Sequence, residues 1–164
     1  MSILITGGAG YIGSHTTVEL VNEGFDVVLV DDFSNSSPAV LERLEKITGK
    51  KFPFYQGSIL DTDFLDKVFT NENIELVIHF AAFKTVAESV QKPLKYYKNN
   101  ISGTITLLEK MKEYGLNIGG EQSGHILMLD YNTTGDGVLS SIQLVAAILE
   151  SGKTLNELVK DIKL

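Results

Sequence analysis

The sequence predicts a doubly wound α/β fold, in which a parallel sheet of about five strands carries helices on both faces. Short apolar runs alternate along the chain with segments of helical periodicity, and the connectors between them are short. A glycine-rich turn directly follows the first apolar run, residues 3–5, and an acidic residue ends the second run. Together these three observations favour the strand order 3-2-1-4-5.

The glycine-rich turn covers residues 6–13 and reads Thr-Gly-Gly-Ala-Gly-Tyr-Ile-Gly. Between a strand and a helix, Gly7 permits a tight turn, Gly10 lets the backbone approach a pyrophosphate, and Gly13 lets the helix pack close to the sheet. The free N–H groups at the helix start then face the phosphates. The pattern therefore predicts a Rossmann-like dinucleotide site, with an ordinary glycine-rich turn as the alternative.

The acidic residue at the end of the second apolar run is Asp31. A carboxylate at this place can accept hydrogen bonds from both hydroxyls of the adenosine ribose, and it repels a 2′-phosphate. Asp31 therefore predicts NAD rather than NADP as the cofactor.

The middle of the chain continues the alternation of helix and strand. Ser37 and Pro38 are typical of a helix start, and Gly49 of its end. The third strand is predicted at residues 52–55, and Pro53 within it indicates an edge position. Asp61 is placed to cap the next helix, and residues 76–80 form the predicted fourth strand.

The last third predicts a helix, a strand and two further helices. A long helical stretch runs from Pro93 to Tyr114 with Gly115 as its C-terminal cap. The fifth strand is predicted at residues 126–129, followed by an apolar helix over 138–149. A capping box at Thr154 starts a short terminal helix with Leu158, Val159 and Ile162 inward. We expect a single domain over residues 1–164.

Composition narrows the classes of partner. The chain has 164 residues, 43% of them hydrophobic and 21% charged, which is typical of one soluble globular domain. Its net charge is −7 and no basic stripe is visible, so neither nucleic acid nor an anionic membrane is expected as a partner. The absence of cysteine excludes disulfides and thiol catalysis. With no signal segment and no apolar run near ~20 residues, a cytoplasmic location is expected.

Up to about residue 107 the chain resembles the UDP-glucose 4-epimerases, which are extended short-chain dehydrogenases/reductases. The resemblance rests on the glycine turn, on Asp31, and on residues 79–84 (His-Phe-Ala-Ala-Phe-Lys), 88–94 and 97–100. It implies NAD as cofactor and a small-molecule nucleotide as partner. The residues that it implies for cofactor binding are Gly7, Gly10, Tyr11, Ile12 and Gly13 at the pyrophosphate, Asp31 at the adenosine ribose, Phe80, Ala81 and Asn99 along the groove, and Ser58 and Ile59 under the adenine. It also implies that Lys84 reaches the nicotinamide-side ribose or phosphate.

Two departures from this family bear on function. Ser58 stands where the family usually has aspartate under the adenine. None of the six tyrosines has a lysine four residues later, so the Tyr-x-x-x-Lys pair of the family is absent. Epimerisation needs that tyrosine to remove the proton of the sugar 4-hydroxyl, and the lysine lowers the pKa of the tyrosine. Without this pair and a UDP-sugar-binding domain, we expect no epimerase activity and assign no catalytic residue.

From about residue 108 the chain resembles the third domain of bacterial phosphoglucosamine mutases. The resemblance rests on residues 108–111 (Leu-Glu-Lys-Met), on the loop 119–125 (Gly-Gly-Glu-Gln-Ser-Gly-His) and on residues 130–137. It implies sugar-hydroxyl contacts for Glu121 and Ser123, with His125 flanking. The other mutase loops are absent, so mutase chemistry is not expected.

These two resemblances predict a chimera whose parts meet within one helix, residues 1–107 being epimerase-like and 108–164 a mutase-like helix, strand and helix. The alternatives are a structural chimera without ligand function and a phosphosugar-binding remnant. The absence of the family's C-terminal domain is expected to leave apolar surface exposed and to favour self-association.

Two other features favour structural interpretations. His15 on the first helix is expected to be packed or solvated, and His79 at the end of a strand is expected to be a core histidine whose hydrogen bonds are satisfied. Acidic and polar residues alternate over positions 130–136 as in a calcium loop, but Ser141 stands at the twelfth position, where such a loop requires glutamate. No metal site is therefore expected.

Overall fold

The computed structural model describes residues 2–121 and 123–160. It divides the chain into two compact units, the first ending at Leu116 and the second beginning at Asn117. The single domain expected over residues 1–164 stays a prediction. The predicted boundary at residue 107 differs from the boundary between the units, because Lys110, Met111 and Leu116 all pack within the first unit.

The first unit contains a four-stranded parallel sheet in the order β3-β2-β1-β4. Its strands are β1 (Ser2–Thr6), β2 (Asp26–Asp31), β3 (Phe54–Gln56) and β4 (Ile74–His79). The predicted class of fold and the predicted order of these four strands are confirmed. The edge position of β3 is confirmed as well: the Pro53 carbonyl accepts from the Leu29 N–H (2.9 Å), but proline has no N–H to donate, and β3 begins one residue later.

Helices cover both faces of this sheet. They are α1 (Tyr11–Asn22), α2 (Ala39–Thr48), α3 (Thr62–Asn71), α4 (Val86–Gln91), α5 (Pro93–Tyr96), a π-helical turn (Tyr97–Ser102) and α6 (Gly103–Glu113). Successive strand residues point to opposite faces, so β1 supplies both cores: Ile3 and Ile5 pack with α1 and α2, and Leu4 packs with α3 and α6.

Several helix ends of the first unit follow the predicted residues, but α2 begins at Ala39 with Pro38, rather than the predicted Ser37, as its N-cap. Asp61 Oδ1 accepts from the Phe64 N–H (3.0 Å) and caps α3. Gly49 ends α2 with φ 69°, and Gly115 follows α6 with φ 80°, both in the left-handed region that glycine adopts without strain. The long helical stretch from Pro93 is therefore confirmed, with the π-helical turn in its middle.

The second unit is a hairpin followed by two helices. β5 (Ile118–Gly120) pairs antiparallel with β6 (Ile126–Met128), and α7 (Gly137–Ser151) and α8 (Leu155–Val159) follow. The prediction that residues 126–129 extend the parallel sheet is wrong. A parallel neighbour needs a long crossover connection, whereas the five residues between β5 and β6 suit an antiparallel pair.

The caps of the second unit agree with the sequence. Asp136 accepts from the Val138 and Leu139 N–H groups, each at 3.0 Å, and Gly152 ends α7 with φ 65°. The capping box between Thr154 and Glu157 starts α8. Leu158 and Val159 are exposed, in contrast to the prediction. Ile162, predicted inward with them, lies outside the described residues.

Over residues 2–121 and 123–160, no helix is both long and apolar enough to cross a membrane.

Candidate functional site

A groove lies in the first unit at the carboxyl ends of β1, β2, β3 and β4. It contains about 540 Å³ of space, part of which is open solvent. Open parallel sheets bind their ligands at this edge, near the point where strand order reverses. The residues that line it are Gly7, Gly10, Val30, Asp31, Asp32, Ser34, Asn35, Ser36, Gly57, Ser58, Ile59, Phe80, Ala81, Ala82, Phe83 and Asn99.

The glycine turn forms the floor of the groove and leaves no room for side chains at two positions. A Cβ on Gly7, which has φ +71°, would lie 2.8 Å from the Ala81 nitrogen. A Cβ on Gly13 would lie 2.3 Å from the Gly7 carbonyl oxygen. The Gly7 N–H also donates to the Val30 carbonyl (2.8 Å), which fixes the turn against β2. Backbone is therefore the surface that this turn offers to a ligand.

The start of α1 faces the groove without a side-chain cap. Its N-cap residue is Gly10, whereas α3 and α7 are capped by aspartate side chains. The first N–H groups of a helix have no acceptors within the helix, and with the helix dipole they attract an anion. The Tyr11 and Ile12 side chains are exposed and do not line the groove. What these residues offer an anion is their backbone N–H.

Asp31 is held firmly at the end of β2. Its Oδ2 accepts from the Ala9 N–H at 3.0 Å, and its Oδ1 accepts from the Phe33 N–H at 2.9 Å and the Ser36 hydroxyl at 2.7 Å. Phe33 has φ 57°, unusual for a bulky residue, and its ring lies 5.2 Å from that of Phe54. The carboxylate is thus oriented before any ligand arrives.

The groove lining carries negative charge and no positive charge. Asp31 and Asp32 both line it, and none of the described lining residues is a lysine or an arginine. A ribose diol suits this surface, because hydroxyl groups can donate to carboxylates. A 2′-phosphate would meet two carboxylates and no cationic partner.

The opposite wall is formed by residues after β4 and by the π-helical turn. Asn99 lines the groove and donates from Nδ2 to the Ala81 carbonyl at 3.2 Å. The Asn100 amide accepts from the Phe83 N–H and donates to the Phe83 carbonyl, both at 2.9 Å. π-Helical turns occur often at functional sites. Here the turn brings two asparagines to the loop after β4.

Lys84 does not line the groove, although it directly follows the lining residue Phe83. Its side chain is exposed. Of the two residues predicted under the adenine, Ser58 lines the groove and its hydroxyl accepts from the Leu60 N–H at 3.2 Å. Ile59 also lines it and is almost fully buried.

Eight lining residues were missing from the sequence-based site: Val30, Asp32, Ser34, Asn35, Ser36, Gly57, Ala82 and Phe83. Val30 lies near the end of β2, and the other seven lie one to five residues beyond the ends of β2, β3 or β4. The signal that could have found them is the rule that ligands bind beyond the carboxyl ends of parallel strands.

The three residues predicted as a sugar-binding remnant lie together in the second unit. The Glu121 carboxylate accepts from the Ser123 N–H at 3.1 Å, contacts the Ser123 hydroxyl, and lies 2.9 Å from His125 Nδ1. These hydrogen bonds lower the pKa of Glu121 to about 2, and the hydrogen bond from the Ser123 hydroxyl makes the largest contribution. The Glu121 carboxylate is therefore held in place by contacts within its own loop.

The sheet order, the uncapped helix start and the position of Asp31 define the class: a dinucleotide-binding domain of the Rossmann type. The family model described as GDP-mannose 4,6 dehydratase matches residues 4–124, and the chain belongs to that family. The match continues beyond residue 107, where the sequence predicted the resemblance to end.

Curated relatives include two UDP-glucose 4-epimerases. The protein from Schizosaccharomyces pombe is 60% identical over 115 residues, which are 70% of this chain and 32% of that protein. The protein from Bacillus subtilis is 55% identical over 116 residues, 71% of this chain and 34% of that protein. The chain thus spans about a third of the length of the curated relatives it matches.

Solved epimerase structures share the fold. The UDP-glucose 4-epimerase of Bifidobacterium longum, in complex with NAD+ and UDP, is similar to this chain with a TM-score of 0.70 and 49% sequence identity. The match covers 71% of this chain and 35% of the epimerase chain. The UDP-glucose 4-epimerase of Stenotrophomonas maltophila, with bound NAD and formylated UDP-arabinopyranose, has a TM-score of 0.69 and 35% sequence identity to this chain. The match covers 93% of this chain and 50% of the epimerase chain. Both of these structures contain NAD, the cofactor that the sequence predicts here.

Proposed function

We propose that the first unit binds NAD in the groove and that these 164 residues by themselves do not epimerise a UDP-sugar. The observation that carries the proposal is the glycine turn, whose uncapped helix start faces the same groove as the oriented Asp31 carboxylate. The pyrophosphate would lie against the N–H groups at the start of α1, and the adenosine ribose against Asp31.

The other predicted cofactor residues are assigned by their places around this groove. Gly7 and Gly10 would approach the pyrophosphate, while the backbone of Tyr11, Ile12 and Gly13 supplies N–H groups. The remaining residues proposed to contact NAD are Ser58 and Ile59 near the adenine, and Phe80, Ala81 and Asn99 along the opposite wall. Lys84, which is exposed beside Phe83, could reach the cofactor only by extending its side chain toward the groove.

The proposed lack of epimerase activity follows from the chemistry of the reaction. Removing the proton of a sugar hydroxyl at neutral pH needs a base with a suitably lowered pKa. The Tyr-x-x-x-Lys pair that would supply it does not occur among these residues. Bound NAD could accept a hydride only if a base acted in the same step.

Calorimetric titration of the folded chain with NAD and with NADP tests the proposal. We expect one NAD per chain, and NADP affinity lower by at least about tenfold because its phosphate would face Asp31 and Asp32. UDP-glucose incubated with the purified chain should yield no UDP-galactose. Measurable interconversion contradicts the proposed inactivity. A calorimetric titration that gives no heat of binding with either dinucleotide would contradict NAD binding and favour a purely structural chimera.

We retain the chimera as part of the proposal. It rests on the resemblance of residues 119–125 to the mutase loop. The phosphosugar alternative has less support, because the other loops of the mutase site do not occur among these residues. A rise in melting temperature with glucosamine phosphate that is lost in Glu121→Ala would favour it.

We further propose that the chain self-associates through the apolar stripe of Tyr97, Ile101, Ile105 and Leu108. These residues recur every three or four positions on one helical face, and each is more than half exposed. Contiguous exposed apolar surface of this kind marks interaction sites.

Light scattering after size exclusion should therefore give a mass above that of one chain. The double change Ile101→Lys and Ile105→Lys should give a monomer, since it places two charges in the stripe. Ile47→Lys is the control, because Ile47 is 67% exposed on α2, away from the stripe. A wild-type chain that is monomeric at every concentration tested contradicts the proposal.

A further inference from the structure

The His79 ring lies between two threonine hydroxyls at the end of β4. Its Nδ1 is 2.6 Å from Thr6 Oγ1 on β1, and its Nε2 is 3.1 Å from Thr104 Oγ1 on α6. Thr6 is fully buried. The sequence predicted a structural role for His79, and the structure agrees in that both ring nitrogens have hydrogen-bond partners.

The hydrogen bonds of the two threonines define the protonation state of the ring. The Thr104 hydroxyl donates to the Asn100 carbonyl at 2.7 Å, so its oxygen must accept from His79 Nε2–H. His79 Nδ1 is then left without a proton and accepts from the Thr6 hydroxyl. The arrangement requires a neutral imidazole with its proton on Nε2.

Hydrogen bonds continue from His79 to the groove wall. Thr104 contacts Asn100, and the Asn100 amide holds both the N–H and the carbonyl of Phe83. Asn99 Nδ2 donates to Asn100 Oδ1 at 2.9 Å and to the Ala81 carbonyl. Phe83, Asn99 and Ala81 all line the groove. His79 directly precedes Phe80, which also lines it. His79 is the one titratable member of this chain of contacts.

Protonation of Nδ1 would break this arrangement. Thr6 would have to accept from the imidazolium, and its own proton would lose its acceptor, because His79 is the single hydrogen-bond partner of that hydroxyl within residues 2–121 and 123–160. The polar groups facing the ring, Thr6 from β1 and Thr104 from α6, do not titrate. Burial lowers the pKa of His79.

We propose that His79 is a positioning residue for the groove, and that its neutral form is required for full cofactor affinity. The inference rests on the proposed NAD site. In the neutral state the hydrogen bonds through Thr104 and Asn100 hold the wall that Ala81, Phe83 and Asn99 form. Uptake of a proton at Nδ1 loosens β4 from β1, and the wall with it, so NAD binding and protonation of His79 oppose each other.

The test is the dissociation constant of NAD at pH 7.5, 6.5 and 5.5, measured by calorimetry on the full chain. Wild-type affinity should fall as the pH is lowered across this range, by at most about tenfold, since the folded pKa lies below the ordinary value of an imidazole. His79→Asn should bind NAD with an affinity that is nearly constant with pH. His15→Asn, which removes the other histidine of the first unit, should retain the wild-type profile.

A second measurement on the wild type does not depend on the variant folding. In a histidine NMR titration, the free ring should carry its proton on Nε2, and its midpoint should move to lower pH when NAD is added. Wild-type affinity that is constant with pH contradicts the role of His79, as does His79→Asn keeping the wild-type profile. No NAD binding at pH 7.5 contradicts the proposed function itself and this inference with it.

Discussion

Replacing Gly7 with alanine is expected to abolish measurable NAD binding and to destabilise the first unit by about 2–5 kcal/mol. A Cβ at this position would lie 2.8 Å from the Ala81 nitrogen and from the Phe80 carbonyl carbon, both of which are backbone atoms. Gly7 also has φ +71°, where an L side chain costs about 1–2 kcal/mol. Relief of the clash must separate the turn from the residues after β4, so the floor of the groove and the wall formed after β4 would both move.

Gly49→Ala is the matched control for this change. Gly49 has φ +69°, nearly the value of Gly7, but a Cβ there would meet nothing within 4 Å. Its substitution should therefore lower the free energy of unfolding by about 1–2 kcal/mol and leave NAD affinity unchanged. Urea denaturation measures the first quantity and calorimetry the second. If Gly7→Ala and Gly49→Ala lowered the free energy of unfolding equally, the close approach of Gly7 to Phe80 and Ala81 would make no contribution to stability.

The sequence was sufficient for the parts of the fold that local chemistry determines. The unbroken apolar runs of β1 and β2 predicted strands buried on both faces, and Ile3, Leu4 and Ile5 do supply two separate cores. Asp61 and Gly49 identified helix ends correctly because a cap needs only a side chain or a left-handed residue at one position.

The prediction was wrong where pairing between distant segments decides the structure. Residues 126–129 have the composition of a buried strand, but composition does not specify the partner. The segment Ile118–Gly120 contains two glycines and gave no strand signal, yet it supplies the partner of β6. The end of the epimerase-like part was placed too early for a similar reason. Lys110 and Met111 pack within the first unit, and their sequence positions alone do not reveal these contacts.

For the site, the sequence identified residues with an obvious chemical role and missed those whose role comes from position. Gly7, Gly10 and Asp31 were predicted from their spacing and lie at the groove. Ser36 was not predicted, because a serine in a polar loop has no distinctive pattern, although its hydroxyl holds the Asp31 carboxylate. The contacts of His79 with Thr6 and Thr104 were equally invisible, since the two partners lie 73 and 25 residues away in sequence.

Asp31→Asn is expected to weaken NAD binding by about ten- to a hundredfold, because hydrogen bonds to a charged group are worth about 1.5–3 kcal/mol. The same change should narrow the difference between NAD and NADP, since it removes one of two carboxylates that would face a 2′-phosphate. Calorimetric titration of the variant with both dinucleotides measures the two effects together.

The asparagine would also disturb the free protein, and the control must separate this effect from binding. Asp31 accepts from Ala9, Phe33 and Ser36, and an amide has one oxygen for these three donors. Because Ala9 is buried, we expect a loss of about 1–3 kcal/mol in unfolding free energy. Asp26→Asn makes the same charge change at the exposed amino end of β2 and should leave both quantities unchanged. If it weakened NAD binding equally, net charge rather than contact at the ribose would explain the result.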